Sequence, residues 1–245
     1  MIKTQTLALE SPMSTTTLHY IYDPLCGWCY GAAPLVRAAG EVLPVQAHGG
    51  GMMAGDRRQP VTPQLRDYMM PHDRRIANLT GQPFGDAYFE GLLRDTSAVF
   101  DSAPPTAAVL AAETLAGRGL DMLSRLQSAH YVEGRRIADH EVLVTLAGTI
   151  GLDAAAFALA LDEAQREQLP SHIAETRRLM ERVGARGFPS FALERDGKFT
   201  LLDAGAFLGR PQELRDWLRT QLPDEVASPG SAAAEFGCGP DSCSI

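Results

Sequence analysis

The chain has 245 residues, 45% of them hydrophobic and 21% charged, the make-up of a globular protein with a core of normal size. Its net charge of −8 argues against a nucleic-acid partner or an acidic membrane surface. No segment approaches the ~18 consecutive apolar residues of a membrane span, and the four cysteines are not needed as a framework in a chain of this length.

Residues 1–17 are polar, contain Glu10 and Pro12, and lack the apolar stretch of a secretory signal. Met13 is an alternative start. The cytoplasm is the expected compartment, and there a retained Cys pair is more often catalytic or metal-binding than structural. Thr17 to Asp23 is rich in β-branched and aromatic residues and predicts a strand, ended by Asp23-Pro24. A helix is expected from Cys26 to Ala39, closed by Gly40, and Leu43 to Ala47 reads as a second strand ahead of Gly49-Gly50-Gly51.

The texture then changes. Between Thr62 and Val183 apolar residues recur at helical spacing: Leu65, Met69, Ile76 and Leu79; Leu120, Leu123 and Leu126; Ile173, Met180 and Val183. Gly117, Gly119, Gly148, Gly151 and Gly184 fall where helices would end. Roughly five or six helices are expected, with no strand among them. Ala103-Pro104-Pro105-Thr106 marks the start of one, and Asp153, an N-cap ahead of good helix formers, the start of another. Strand texture returns in Pro189 to Glu194 and Phe199 to Leu202, which flank a hairpin turn at Asp196-Gly197. Pro211 to Leu222 predicts a last helix with Leu214, Trp217 and Leu218 inward. Residues 223–245 read as a flexible tail carrying Cys238 and Cys243.

Cys26-Gly27-Trp28-Cys29 lies behind the first strand and opens the first helix. Two thiols at this spacing can close a small disulfide ring or hold a soft metal. A thiol at a helix N-terminus meets unpaired N–H groups and the positive end of the macrodipole, which favour a thiolate. The second thiol, a turn further in, can resolve a mixed disulfide. A zinc ribbon would need two more ligands at suitable spacing, and the other cysteines stand far off in the tail. Tyr30 after the second Cys excludes a c-type haem site.

Pro189 in Gly187-Phe188-Pro189-Ser190-Phe191 opens a strand, one of the few strand positions open to proline. A cis bond there would turn the Phe188 backbone toward the thiols, free to pair with an extended peptide, whereas a trans bond would make it an ordinary edge-strand start. Trp28 is either a flat apolar contact for substrate or lid packing. Asp23 reads as a turn residue before a proline, with proton transfer as the rival role. His48-Gly49-Gly50-Gly51 has the look of an oxyanion loop, yet no nucleophile elbow accompanies it. His72, His130, His140 and His172 stand alone without metal-ligand spacing, and Met52-Met53 and Met69-Met70 read as core filling.

The CxxC at a strand-to-helix turn, the helical block, and Gly-Phe-Pro-Ser-Phe before a hairpin and last helix resemble the DsbA-like branch of the thioredoxin superfamily. Within it, Asp23-Pro24-Leu25-Cys26-Gly27-Trp28-Cys29-Tyr30 is similar to the cytoplasmic disulfide-isomerase and FrnE-like group. The resemblance implies an α/β, thioredoxin-like fold with a large helical insertion. Its first half would be 17–61, the insertion 62–184 and the second half 185–222, leaving 223–245 as the tail. It also implies Cys26 as nucleophile, Cys29 as resolving thiol and Pro189 as a cis proline facing them, with Trp28 and Phe188 beside the substrate.

Cys238 and Cys243 resemble the second Cys pair of FrnE-like proteins, an auxiliary redox pair. The activity implied is disulfide reduction, formation or isomerisation on protein or small-molecule thiols and disulfides, with no cofactor, nucleic acid or membrane. Gly27-Trp28 matches neither the Gly-Pro of thioredoxin nor the Pro-His of DsbA, so the direction of electron flow stays open. Two rivals stand: a metal-binding module using both Cys pairs, and glutathione-dependent transferase or isomerase chemistry on the same fold, which Cys29 argues against.

Overall fold

The structure, a computed structural model, describes residues 16–222. Its strands are β1 (Thr16–Tyr22), β2 (Val45–Gly49), the two-residue β3 (Gln59–Pro60) and β4 (Val99–Phe100), β5 (Ser190–Arg195) and β6 (Lys198–Leu202). Four of them make one mixed sheet ordered β2-β1-β5-β6, with β1 and β2 parallel and the other neighbours antiparallel. Leu18, Tyr20 and Tyr22 alternate into the main core, while His19 and Ile21 take the opposite face and are buried too. Both sides of β1 are therefore covered, which is why it reads as a nearly continuous apolar run.

The helices are α1 (Gly27–Gly31), α2 (Ala33–Gly40), α3 (Pro63–Thr80), α4 (Ala103–Ala116), α5 (Gly119–Tyr131), α6 (His140–Thr149), α7 (Ala154–Glu163), α8 (Leu169–Val183) and α9 (Pro211–Gln221). The chain is an α/β, thioredoxin-like fold with helices inserted between its sheet halves. Helix α9 packs on α2, α8 crosses β2 and β6, and α1 rests on α3. The expected starts hold: Asp153 accepts a hydrogen bond from Ala156 N at 2.8 Å, Ala103 begins α4 and Pro211 begins α9, while Thr62 caps α3 by accepting from Leu65 N at 3.1 Å. Asp196 and Gly197, with φ of 50° and 75°, make the β5–β6 turn.

Several expectations are corrected. The helix expected over Cys26 to Ala39 is two helices broken at Ala32. Pro34 has no N–H for the Tyr30 carbonyl, and Gln82 Nε2 donates to that carbonyl instead, at 3.0 Å. A strand does occur within the helical block, because Val99 and Phe100 pair with Pro60 and Gln59; two residues are too short to show alternation. Strand β2 begins two residues later than expected, Gly119 starts α5 rather than ending a helix, and Gly148 lies inside α6. Leu79 is exposed, and Trp217 is only half-buried beside the fully covered Leu218.

Aromatic packing ties the inserted helices to the CxxC turn. Tyr30 on α1 stacks on Tyr131 on α5 with centroids 4.8 Å apart, and Tyr88 packs against Tyr131 at 5.3 Å. The turn after α5 that seats Tyr131 is tight: Gly85 N donates to the Tyr131 carbonyl at 2.9 Å, and Gly134 has φ of 64°. A Cβ at Gly134 would also collide with the Ala87 carbonyl. Gly134→Ala is therefore expected to lower unfolding stability by ~1–3 kcal/mol in a urea titration; an unchanged midpoint would show that this turn carries no such constraint.

Candidate active site

Cys26 is the N-cap of α1, with φ of −91° and ψ of 112°. An N-cap side chain satisfies an amide that the first helical turn leaves without a partner, and here sulfur does this: Cys26 Sγ accepts from Cys29 N at 3.3 Å. On its other side it lies 3.5 Å from the Phe188 carbonyl, which can accept the thiol proton. The Phe188–Pro189 bond is cis. The loop before β5 thus meets the CxxC turn, as the resemblance implied. Gly50, the residue after β2, gives the Phe188 ring its place, since a Cβ there would occupy the same space as the ring.

The two thiols, both free, differ in access. Cys26 keeps 7% of its surface exposed and Cys29 none. Burial is the main cause that raises the Cys29 thiol well above its ordinary range, with the hydrogen bond to Cys26 adding to it. The backbone N–H of Asp23 donates to Cys29 Sγ at 3.5 Å. The Asp23 carboxylate does not touch the sulfur. It accepts from Leu25 N at 3.0 Å, from Ser102 Oγ at 2.8 Å and from Met52 N, so it joins the turn, β2's exit loop and the start of α4. The turn role expected of Asp23 is therefore one part of a larger bridging role.

Trp28 is half-buried, with the Arg75 guanidinium 6.0 Å from its ring. It borders a cleft of about 240 Å³ that Arg186, Phe188, Pro189, Ser190 and Leu208 also line. Trp28 and Phe188 thus flank one opening beside the dithiol. Cys238 and Cys243 lie outside the described residues. Among the described residues no cluster of three or more His, Cys, Asp or Glu side chains is arranged to hold a metal.

The sequence reading missed a histidine network. His19 Nδ1 lies 2.9 Å from His48 Nε2, His19 Nε2 lies 2.8 Å from Glu194 Oε2, and His172 accepts from Gly49 N at 2.9 Å. His172 does not stand alone but stacks on His48. Burial above all, then the neighbouring imidazoles, pushes His48 down to about 4. His130 is buried against Tyr88 and Phe100, and burial pushes it down to about 3. Also unread was Asp73 of α3, whose Oδ1 lies where a Cβ on Gly27 would need to be. Only the fold brings these side chains together, since His19 lies in β1, His48 in β2 and His172 in α8.

Burial raises the Asp23 carboxyl from 3.8 to about 6, opposed by its hydrogen bonds. The folded value exceeds the unfolded one, so Asp23 contributes most below about pH 4 and that contribution fades as pH rises to about 6, by roughly 3 kcal/mol. The Asp23 carboxyl carbon is expected to titrate near pH 6 by NMR; a midpoint near 4 would mean that the buried site does not govern it.

Comparison with known proteins agrees with this geometry. No curated protein matches the chain. The cytosolic disulfide reductase DsbM from Pseudomonas aeruginosa is 63% identical, with a TM-score of 0.80 over 84% of this chain and 98% of that one. Its structure with GSH matches at 61% identity, with a TM-score of 0.78 over the same shares. A 2-hydroxychromene-2-carboxylate isomerase shares the fold alone, at 16% identity and a TM-score of 0.54, over 84% of this chain and 97% of that one. The family profile described as a DSBA-like thioredoxin domain matches residues 17–210, the span that carries both the CxxC turn and the Phe188-Pro189 loop, and the chain belongs to that family.

Proposed function

We propose that the chain is a thiol–disulfide oxidoreductase that works through Cys26 and Cys29 in the direction of disulfide reduction. The observation that carries this reading is the position of Cys26 Sγ, at the mouth of the site between the Cys29 amide and the Phe188 carbonyl. Cys26 is the accessible member of the pair, and the amide stabilises sulfur as it gains charge. The thiolate attacks one sulfur of a substrate disulfide, and the electron pair of that bond leaves on the other sulfur. Cys29 then loses its proton and attacks Cys26 Sγ; the substrate sulfur held in the mixed disulfide departs as the second product thiol, and an intramolecular disulfide remains. Two thiols of an external reductant return the enzyme to the dithiol.

Complete burial of Cys29 fits a resolving role, because it is shielded from outside disulfides yet adjacent to Cys26. Pro189 and the Phe188 backbone face Cys26 and suit an extended disulfide-bearing segment, with Trp28 as its apolar neighbour. Similarity to a relative solved with GSH supports glutathione as the small-molecule partner, and similarity to a cytosolic reductase supports action in the cytoplasm. The same reading treats 17–61 and 185–222 as the halves of one thioredoxin-like domain, interrupted by 62–184. Cys238 and Cys243 are candidates for an auxiliary pair that exchanges with the first.

With glutathione as reductant and insulin as substrate, Cys26→Ser is expected to lose turnover by more than ~10²-fold. Cys29→Ser should accumulate a mixed disulfide between Cys26 and glutathione, visible by mass spectrometry. Activity retained in Cys26→Ser, or glutathione mapped to Cys238 or Cys243 with Cys26 free, would overturn the assignment.

A further inference from the structure

Neither buried carboxylate, Asp23 or Asp73, takes a step in the thiol chemistry, and Asp23 is already committed to bridging the turn, the β2 exit loop and the start of α4. Asp73, 3% exposed, lies on α3, and α3 is the helix on which α1 rests. Its Oδ1 presses on Gly27, the residue covalently joined to Cys26: a Cβ there would stand 2.5 Å from that oxygen and 3.0 Å from Ile76 Cδ1. Its Oδ2 accepts from Tyr88 Oη at 2.7 Å. No basic side chain among the described residues pairs with it.

We infer that Asp73 is a positioning residue of electrostatic kind, whose negative charge against Gly27 holds the Cys26–Cys29 pair toward the reducing end of its range. The inference rests on the dithiol reading. The half-reaction takes two electrons and one proton, turning the neutral disulfide into a Cys26 thiolate and a Cys29 thiol. Only the reduced side carries charge on sulfur. A fixed anion against Gly27, one residue along the chain from that sulfur, penalises the reduced form and spares the disulfide, so the pair gives up electrons more readily. The amides at the start of α1 act in the opposite sense, and the balance between them sets the potential.

The charge is present when the cell would need it. Burial raises the Asp73 carboxyl to about 6, and the Tyr88 hydrogen bond opposes that rise. Asp73 is thus ionised at neutral pH and neutral at pH 5. Tyr88, from the turn at 87–91, and Tyr131 on α5 are close enough to feel its charge, His130 lies beside both, and α1, capped by Cys26, packs on α3. Tyr88 and Tyr131 are raised well above their ordinary range by burial and stay neutral, as does His130. Glu90 pairs outward with Arg66 and Arg94. Asp23, which holds the turn before Cys26, titrates over the same range but is present in every protein compared.

The test measures the equilibrium of the full-length protein with reduced and oxidised glutathione, with alkylation and mass spectrometry resolving the Cys26–Cys29 pair. At pH 7.5 Asp73→Asn should favour the dithiol by about tenfold, a rise of ~30 mV in potential. At pH 5 the two proteins should agree within about twofold. Tyr88→Phe, which disturbs the same contact but keeps the charge, should stay within about threefold of wild type at pH 7.5, and Asp73→Ser serves as a second uncharged variant. Equal potentials for wild type and both uncharged variants at pH 7.5, or a difference that persists at pH 5, would overturn the inference. If wild-type Cys26 and Cys29 form no disulfide at any glutathione ratio, the dithiol reading itself fails.

Discussion

One sulfur atom joins two stretches of chain that are 162 residues apart. Cys26 Sγ takes an amide from its own helix and meets the carbonyl of Phe188, and both partners must arrive for the site to exist. The four-stranded sheet supplies this meeting. Strand β1 delivers the CxxC turn at its end, and its antiparallel neighbour β5 begins at Ser190, paired with Ile21. The pairing register therefore places Pro189 opposite the end of β1. A slip of one residue would turn every β5 side chain to the other face and carry Phe188 away from the thiol.

Around that contact the inserted helices do more than cover the sheet. Gln82 completes the Tyr30 carbonyl that Pro34 leaves open, Tyr131 stacks on Tyr30, and the side-chain ends of Asp73 and Ile76 crowd position 27, where a Cβ would require them to shift. Two buried carboxylates meet the CxxC turn, Asp23 through the Leu25 amide and Asp73 against Gly27. Each is raised to about 6 chiefly by burial. Charge near the sulfurs is set by these neighbours as well as by the helix dipole.

Much of the scaffold was legible because local chemistry dictates it. The aromatic and β-branched run of β1, the Asp196-Gly197 turn, the Asp153 cap and the proline at the start of α9 each carry their own cause. Pro189 was legible as the start of a strand, and its place opposite Cys26 followed only from the family resemblance. The break at Ala32 was written in Pro34 but masked by good helix formers on both sides. The β3–β4 pair was too short to leave a period. The contacts of Asp73 with Gly27, and of His19 with His48 and Glu194, join residues distant in sequence, and composition holds no trace of them.

The strand order also governs how the chain meets water during its synthesis. Strand β1 is central, yet its second neighbour β5 ends at Arg195, so one full edge of β1 stays unpaired until the ribosome has made the whole helical block. At ~5–20 residues per second that interval lasts on the order of ten to thirty seconds. Through it, the Leu18, Tyr20 and Tyr22 face and an open backbone edge coexist with two unprotected thiols. The nascent β-α-β unit is the segment most exposed to mispairing, and closure of β5 ends that hazard by covering the open edge.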